Sequence, residues 1–135
     1  MQNPNKKQID AILKQAKTIA VVGLSDKPER TSYKVAKFMQ EAGYKIIPVN
    51  PNAKEILSEK AVATLGEIDQ HIDIVNVFRR SEFLPDVARE FEQVDADVFW
   101  AQLGIINEEA YELLKDKHPV IMDKCIMVAY REREE

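Results

Sequence analysis

The chain is short of several things that large classes of protein require. One cysteine, Cys125, among 135 residues excludes an internal disulfide. No apolar run approaches the roughly 18 residues of a membrane-spanning helix, and the start does not read as a signal peptide. The cytoplasm is therefore the expected address. Positive charge is also in deficit: a net charge of −4 and an isoelectric point near 5.3 speak against nucleic acid or a membrane surface as the main partner, since both call for a basic face. Glycine is scarce, with four in all, and the G-x-G-x-x-G fingerprint of dinucleotide-binding loops is absent. The two histidines, His71 and His118, read as loop residues with no carboxylate or nucleophile at an interpretable spacing. The acids Glu90, Glu92, Asp95 and Asp97 have no His or Cys beside them and read as a solvated face with no metal.

What the sequence does contain is alternation. With 45% hydrophobic and 31% charged residues, it has the composition of one globular domain spanning 1–135, large enough for a sizeable core without disulfides or a structural metal. Ile9, Ile12, Leu13 and Ala16 form one apolar stripe on a helix starting near Asn5, within an amino-terminal helical segment 1–16. "TIAVVG" (18–23) is a β-branched run of the kind buried on both faces of a parallel sheet. Val35, Phe38, Met39 and Ala42 return to helical spacing from Ser32, and Gly43 stands where a helix would end. "YKIIPVN" follows as a second strand. A short strand is expected at 60–63, and Thr64 and Glu67 have capping-box spacing for a short helix. "DIVNVF" (73–78) is a third main strand. Ser81 is then expected to cap a helix whose inner stripe is Leu84, Val87, Phe91 and Val94. "DVFWAQ" (97–102), a helix over 108–117 capped by Asn107, and "PVIMD" (119–123) complete the pattern, with a frayed tail at 131–135.

Strands alternating with amphipathic helices predict an α/β fold: a Rossmann-like, doubly wound parallel sheet of about five strands, order 2-1-3-4-5, with helices on both faces. Such sheets bind ligands beyond the carboxyl ends of their strands, where the strand order reverses. The residues just past those ends are Gly23-Leu24-Ser25, Asn50-Pro51, Phe78-Arg79-Arg80, Gln102-Leu103-Gly104 and Asp123-Lys124-Cys125. In the first of these loops Gly23 would let backbone approach a ligand. Ser25, Thr31 and Ser32 offer hydroxyls, the amides opening the next helix point outward, and Arg30 adds a planar cation suited to phosphate oxygens. Asn50 stands where a nicotinamide-dinucleotide site usually has an acid, and Lys54 nearby suits a phosphate on the ribose, at its 2′ or 3′ position.

These residues resemble the small stand-alone CoA-binding proteins, whose domain is similar to the amino-terminal nucleotide-binding domain of the succinyl-CoA synthetase α subunit. The resemblance runs from about Ala16 to Val128. It is carried by "VVGLSDKPERTSYKVAKFMQEAGYKIIPVNP", "DIVNVFRRSE", "FWAQLGIINEEA" and "MDKCIMVA". It implies coenzyme A as the ligand. Gly23, Ser25, Arg30 and Ser32 would line the phosphates, Asn50 and Pro51 would border the adenosine, and Phe78 and Arg79 would flank the ligand. Gln102 and Gly104 would approach the pantetheine arm, and Cys125 would lie toward its thiol end. The domain bearing the synthetase's phosphorylated histidine has no counterpart in these 135 residues.

Three functions follow from these residues. The first is a CoA or acyl-CoA binder without catalytic machinery, acting as carrier, sensor or partner of a CoA enzyme. The second is an NADP-dependent or acyl-CoA-transforming enzyme, against which the missing glycines and the missing acid after strand two both weigh. The third is a ligand-free interaction domain of flavodoxin or receiver shape. Cys125 keeps two readings, a small buried hydrophobe or a thiol activated by Lys124 or a helix amino terminus. A second copy of the chain or a CoA enzyme remains open as a macromolecular partner.

Overall fold

The computed structural model describes residues 1–134. In chain order its elements are α1 (Lys6–Gln15), β1 (Thr18–Val22), α2 (Thr31–Glu41), β2 (Lys45–Val49), β3 (Glu55–Ile56), β4 (Glu59–Lys60), β5 (Ile72–Val77), α3 (Leu84–Phe91), β6 (Ala96–Ala101), α4 (Glu108–Leu114), β7 (Val120–Ile121) and α5 (Ile126–Glu132). Five parallel strands form the sheet in the order β2-β1-β5-β6-β7, which among the main strands is the expected 2-1-3-4-5. The reversal of strand order therefore falls between β1 and β5, where Val22 pairs with Val77.

Period-2 alternation sends successive side chains to opposite faces, and both faces are covered. Ala20, Val22, Val75, Val77, Phe99 and Ala101 pack against Leu84, Val87, Ala88 and Phe91 of α3 and Ala110 and Leu114 of α4. On the other face, Ile19, Val21, Ile74, Val98 and Trp100 meet Ile9 and Leu13 of α1, Val35, Ala36 and Met39 of α2, and Ile126 of α5. Helices on both faces follow from strands apolar on both sides. None of the helices among the described residues is long and apolar enough to cross a membrane.

Four local expectations need correction. The strand expected at 60–63 is instead a hairpin of β3 and β4, turned by Leu57 and Ser58 at φ 55° and 64°, while Val62 forms a lone bridge to Val49. Ser81 does not cap α3. It lies in a 3-10 turn (Ser81–Phe83) that leads into the helix, and its Oγ accepts from the Ile106 amide at 3.1 Å. The helix expected over 108–117 ends at Leu114. The tail expected to fray from 131 is helical to Glu132, because α5 packs on α1 and α2 and the Arg131 guanidinium sits 4.8 Å from the centre of the Phe38 ring. Glu135, the last residue of that expected tail, lies outside the described residues.

Candidate ligand site at the carboxyl edge of the sheet

Gly23 leaves β1 at φ 83°, and a Cβ built there would stand 2.5 Å from the Phe78 carbonyl oxygen. Close approach of two backbones is therefore enough to fix glycine at this position. The same contact brings the Arg79 side chain over the loop, its Cδ 3.6 Å from that Cβ position.

The loop after Gly23 is tied down from inside. The Ser25 amide donates to Ser32 Oγ at 3.0 Å, and Ser25 Oγ accepts from the Lys27 amide at 3.1 Å. Ser32 is buried, so its hydroxyl shapes the loop. Asn50 joins this loop to the turn after β2: its Nδ2 donates to the Leu24 carbonyl at 2.8 Å, and its Oδ1 accepts from the Asn52 amide at 2.7 Å. Two of the predicted contacts, Ser32 and Asn50, thus hold the walls of the site in place. Pro51 and Lys54 lie exposed on the outer side of that turn.

The start of α2 is left open. Its N-cap, Arg30, makes no side-chain capping bond, and Arg30 and Thr31 are exposed. Among the described residues neither Arg30 nor Lys54 forms a salt bridge. First-turn amides without a side-chain acceptor, the positive end of the helix dipole and an unpaired guanidinium make a local anion site in an acidic chain. By contrast, α1 opens with a complete capping box between Asn5 and Gln8. That contrast weighs against a groove of 980 Å³ on the β7 flank as the anion site, although Lys115 and Lys117 join Asn5, Gln8, Tyr111 and His118 in its lining.

Beyond β5 and β6, Phe78, Arg79, Arg80, Ser81, Gly104 and Ile105 line a cleft of 420 Å³. The Arg79 guanidinium stacks 4.5 Å from the centre of the Phe83 ring, held at the mouth by a cation–π contact. Gly104 lies on the rim at φ 82°, its amide donating to Asp123 Oδ1 at 2.7 Å.

Gln102 departs from the expectation. It is 4% exposed and faces inward, its Oε1 accepting from the Ile126 amide at 3.1 Å and from Asn76 Nδ2 at 3.3 Å. A buried amide needs partners, and Gln102 finds them in the sheet and in the first amide of α5. Asn76, 1% exposed, escaped the sequence reading, although a lone amide inside the apolar run "DIVNVF" was the available signal. Trp100 adds a third tie, its indole N–H donating to the Lys124 carbonyl at 2.9 Å. Together these three fix the segment that presents Cys125, the half-buried N-cap of α5, which packs in the same cluster as Leu24 and Phe78.

At the opposite edge of the sheet the histidine reading also changes. His71 has three carboxylates around it: Asp95 Oδ2 lies 3.0 Å from Nδ1, while Asp97 Oδ2 and Asp73 Oδ1 lie 2.9 and 3.3 Å from Nε2. Asp95 first, then Asp97, raises the imidazole pKa above its ordinary value. Neighbouring parallel strands bring together residues that lie 24 and 26 positions apart in the chain, beyond the reach of any spacing argument.

Comparison with known proteins agrees with the fold. The CoA binding domain family matches residues 17–131. The Bacillus subtilis protein YneT is 64% identical over 131 residues, covering 96% of this chain and 97% of its own length. A solved structure from Thermus thermophilus superposes with a TM-score of 0.86 at 35% identity, covering 97% of this chain and all of that one. A stretch of the ADP-forming acetate–CoA ligase II of Archaeoglobus fulgidus is 29% identical over 79 residues, 57% of this chain and 12% of the ligase. With its Rossmann-like sheet, its uncapped α2 and a family match across most of its length, the chain belongs to the CoA-binding domain family.

Proposed function

We propose that the chain binds coenzyme A or an acyl-CoA across the point where strand order reverses between β1 and β5, and acts without catalysis of its own as a carrier, sensor or partner of a CoA enzyme. The observation that carries this reading is the open amino terminus of α2 beside the unpaired Arg30, at the end of the sheet where such folds take their ligands. In this arrangement the diphosphate lies against the Thr31 side of α2, with Arg30 and Ser25 as donors. Lys54 meets the ribose 3′-phosphate. Pro51 borders the adenosine, while Asn50 ties the loop after β1 to the turn after β2 and Ser32 braces the former from inside. The pantetheine arm runs over Phe78 and Arg79 into the cleft at Gly104, with Cys125 toward its thiol. Gln102 serves as a support for α5 and touches no ligand.

Binding a polyanion to a chain of net charge −4 rests on these few local cations, so affinity falls as salt rises. A thermal-shift series with CoA, dephospho-CoA, NADP, NAD and ATP ranks the ligands, since a specific ligand raises the melting temperature by mass action. CoA is expected to lead, with dephospho-CoA behind it. Arg30→Ala is expected to weaken CoA binding about 10- to 150-fold, the loss of a charged hydrogen bond. An unchanged affinity would remove Arg30 from the site, and a larger shift with NADP would favour the enzyme reading.

A further inference from the structure

The second cluster of chemically able side chains lies far from the CoA-type site, on the amino edge of the sheet. His71 stands just before β5, Asp73 is the second residue of β5, and Asp97 is the second residue of β6. One ligand atom from each of His71, Asp73 and Asp97 lies within 4.8 Å of the other two, with 2.9 Å from His71 Nε2 to Asp97 Oδ2 and 3.3 Å from Nε2 to Asp73 Oδ1. Two carboxylate oxygens thus converge on one ring nitrogen. A single N–H can point well at only one of them and leaves the other to solvent. A divalent ion accepts all three donors. With metal–ligand bonds of about 2.0–2.2 Å, adjacent donors on one ion stand about 3.0–3.5 Å apart, close to the 2.9 and 3.3 Å found about Nε2.

Groups outside the trio hold these donors ready. Asp95 Oδ2 takes the Nδ1 side of the ring at 3.0 Å, which fixes the tautomer and turns Nε2 toward Asp73 and Asp97. Histidine ligands of metals are commonly held in this way through their other nitrogen. Asp73 is anchored through its second oxygen, Oδ2, which accepts from the backbone amides of Lys17 and Thr18 at 2.8 and 3.0 Å and leaves Oδ1 for the cluster. The side chains of His71 and Asp97 are 46% and 58% exposed, so water can reach the site and fill the remaining coordination position.

We infer that His71, Asp73 and Asp97 form a binding site for one divalent transition-metal ion, zinc by ligand type, with Asp95 as the positioning residue. Imidazole plus carboxylates suits zinc and its first-row neighbours better than magnesium or calcium, which take oxygen ligands alone. The ion clamps the starts of β5 and β6 to each other and, through Asp73, to the turn that opens β1. It plays no part in the CoA-type site.

The test uses the full chain freed of metal by a chelator and titrated with zinc chloride in a calorimeter. One equivalent is expected to bind. His71→Ala and Asp97→Asn, checked for folding by circular dichroism, are expected to weaken it at least tenfold, and Asp95→Ala about 10- to 100-fold. Cys125→Ser is expected to leave it unchanged. Should a variant fail to fold, the wild-type ring resonances decide: the His71 signals shift to saturation at one equivalent, and those of His118, whose Nδ1 lies 3.0 Å from the Asp97 carbonyl oxygen, shift less. The inference is overturned by the absence of saturable binding, by zinc binding that survives His71→Ala, or by binding lost instead in Cys125→Ser.

Discussion

Gly23 and Gly104 form a matched pair. Their φ angles are 83° and 82°, so alanine at either position carries the same left-handed strain, roughly 1–2 kcal/mol. They differ in the space around them. A Cβ on Gly104 has nothing within 4 Å, whereas one on Gly23 stands 2.5 Å from the Phe78 carbonyl oxygen and 3.1 Å from its carbon. Neither of those atoms can swing aside, since the Phe78 amide is itself bonded to the Val22 carbonyl at 2.8 Å. Relief requires β1 and β5 to separate at the end of their pairing, a form of overpacking that costs about 1–3 kcal/mol more. Gly104→Ala is therefore expected to cost about 1–2 kcal/mol and Gly23→Ala about 2–5 kcal/mol. Equilibrium urea unfolding of the three proteins measures both against wild type. Losses equal within about 0.5 kcal/mol would refute the argument that neighbouring backbone, rather than conformation alone, selects glycine at residue 23.

Two further outcomes follow. Gln102→Leu keeps the buried volume but strips the Ile126 amide and Asn76 Nδ2 of their shared acceptor. A loss of about 2 kcal/mol or more in urea unfolding is expected, with faster hydrogen exchange at Ile126; a near-neutral variant would mean that water or a shift of α5 replaces the bonds. Labelling Cys125 with a thiol reagent is expected to be slowed by saturating CoA, because the N-cap of α5 lies beside the cluster that contains Leu24 and Phe78. A labelling rate indifferent to CoA would place the thiol end of the ligand elsewhere.

The fold was legible because its strands are mostly apolar runs and its helices carry single stripes, and those patterns dictate layers almost regardless of detail. The runs around Ala20, Val75 and Phe99 are apolar on both faces, and the structure buries both. The errors fall where short-range signals compete. Ser81 looks like a cap, yet the chain enters α3 through a 3-10 turn and spends the hydroxyl on Ile106. At the carboxyl edge the sequence identified the loops that end there but could not say which polar groups face inward. Ser32, Asn50 and Gln102 find partners inside the protein, and apart from the Asn52 amide on Asn50 those partners lie 7 to 26 residues away in the chain. The His71 cluster was invisible for the same reason. Lateral pairing of β5 with β6 creates it, and no local spacing encodes that pairing.

Nitrogen–proton correlation spectra of the labelled chain, recorded as CoA is added, test the central claim most directly. The account predicts saturable shifts at the amides of Gly23 through Ser32, at Phe78 through Arg80 and at Gly104, with the Gln2-to-Gln8 segment unmoved. Shifts gathered instead around the 980 Å³ groove at Gln8, Tyr111 and His118, or no shifts at millimolar CoA, would contradict it.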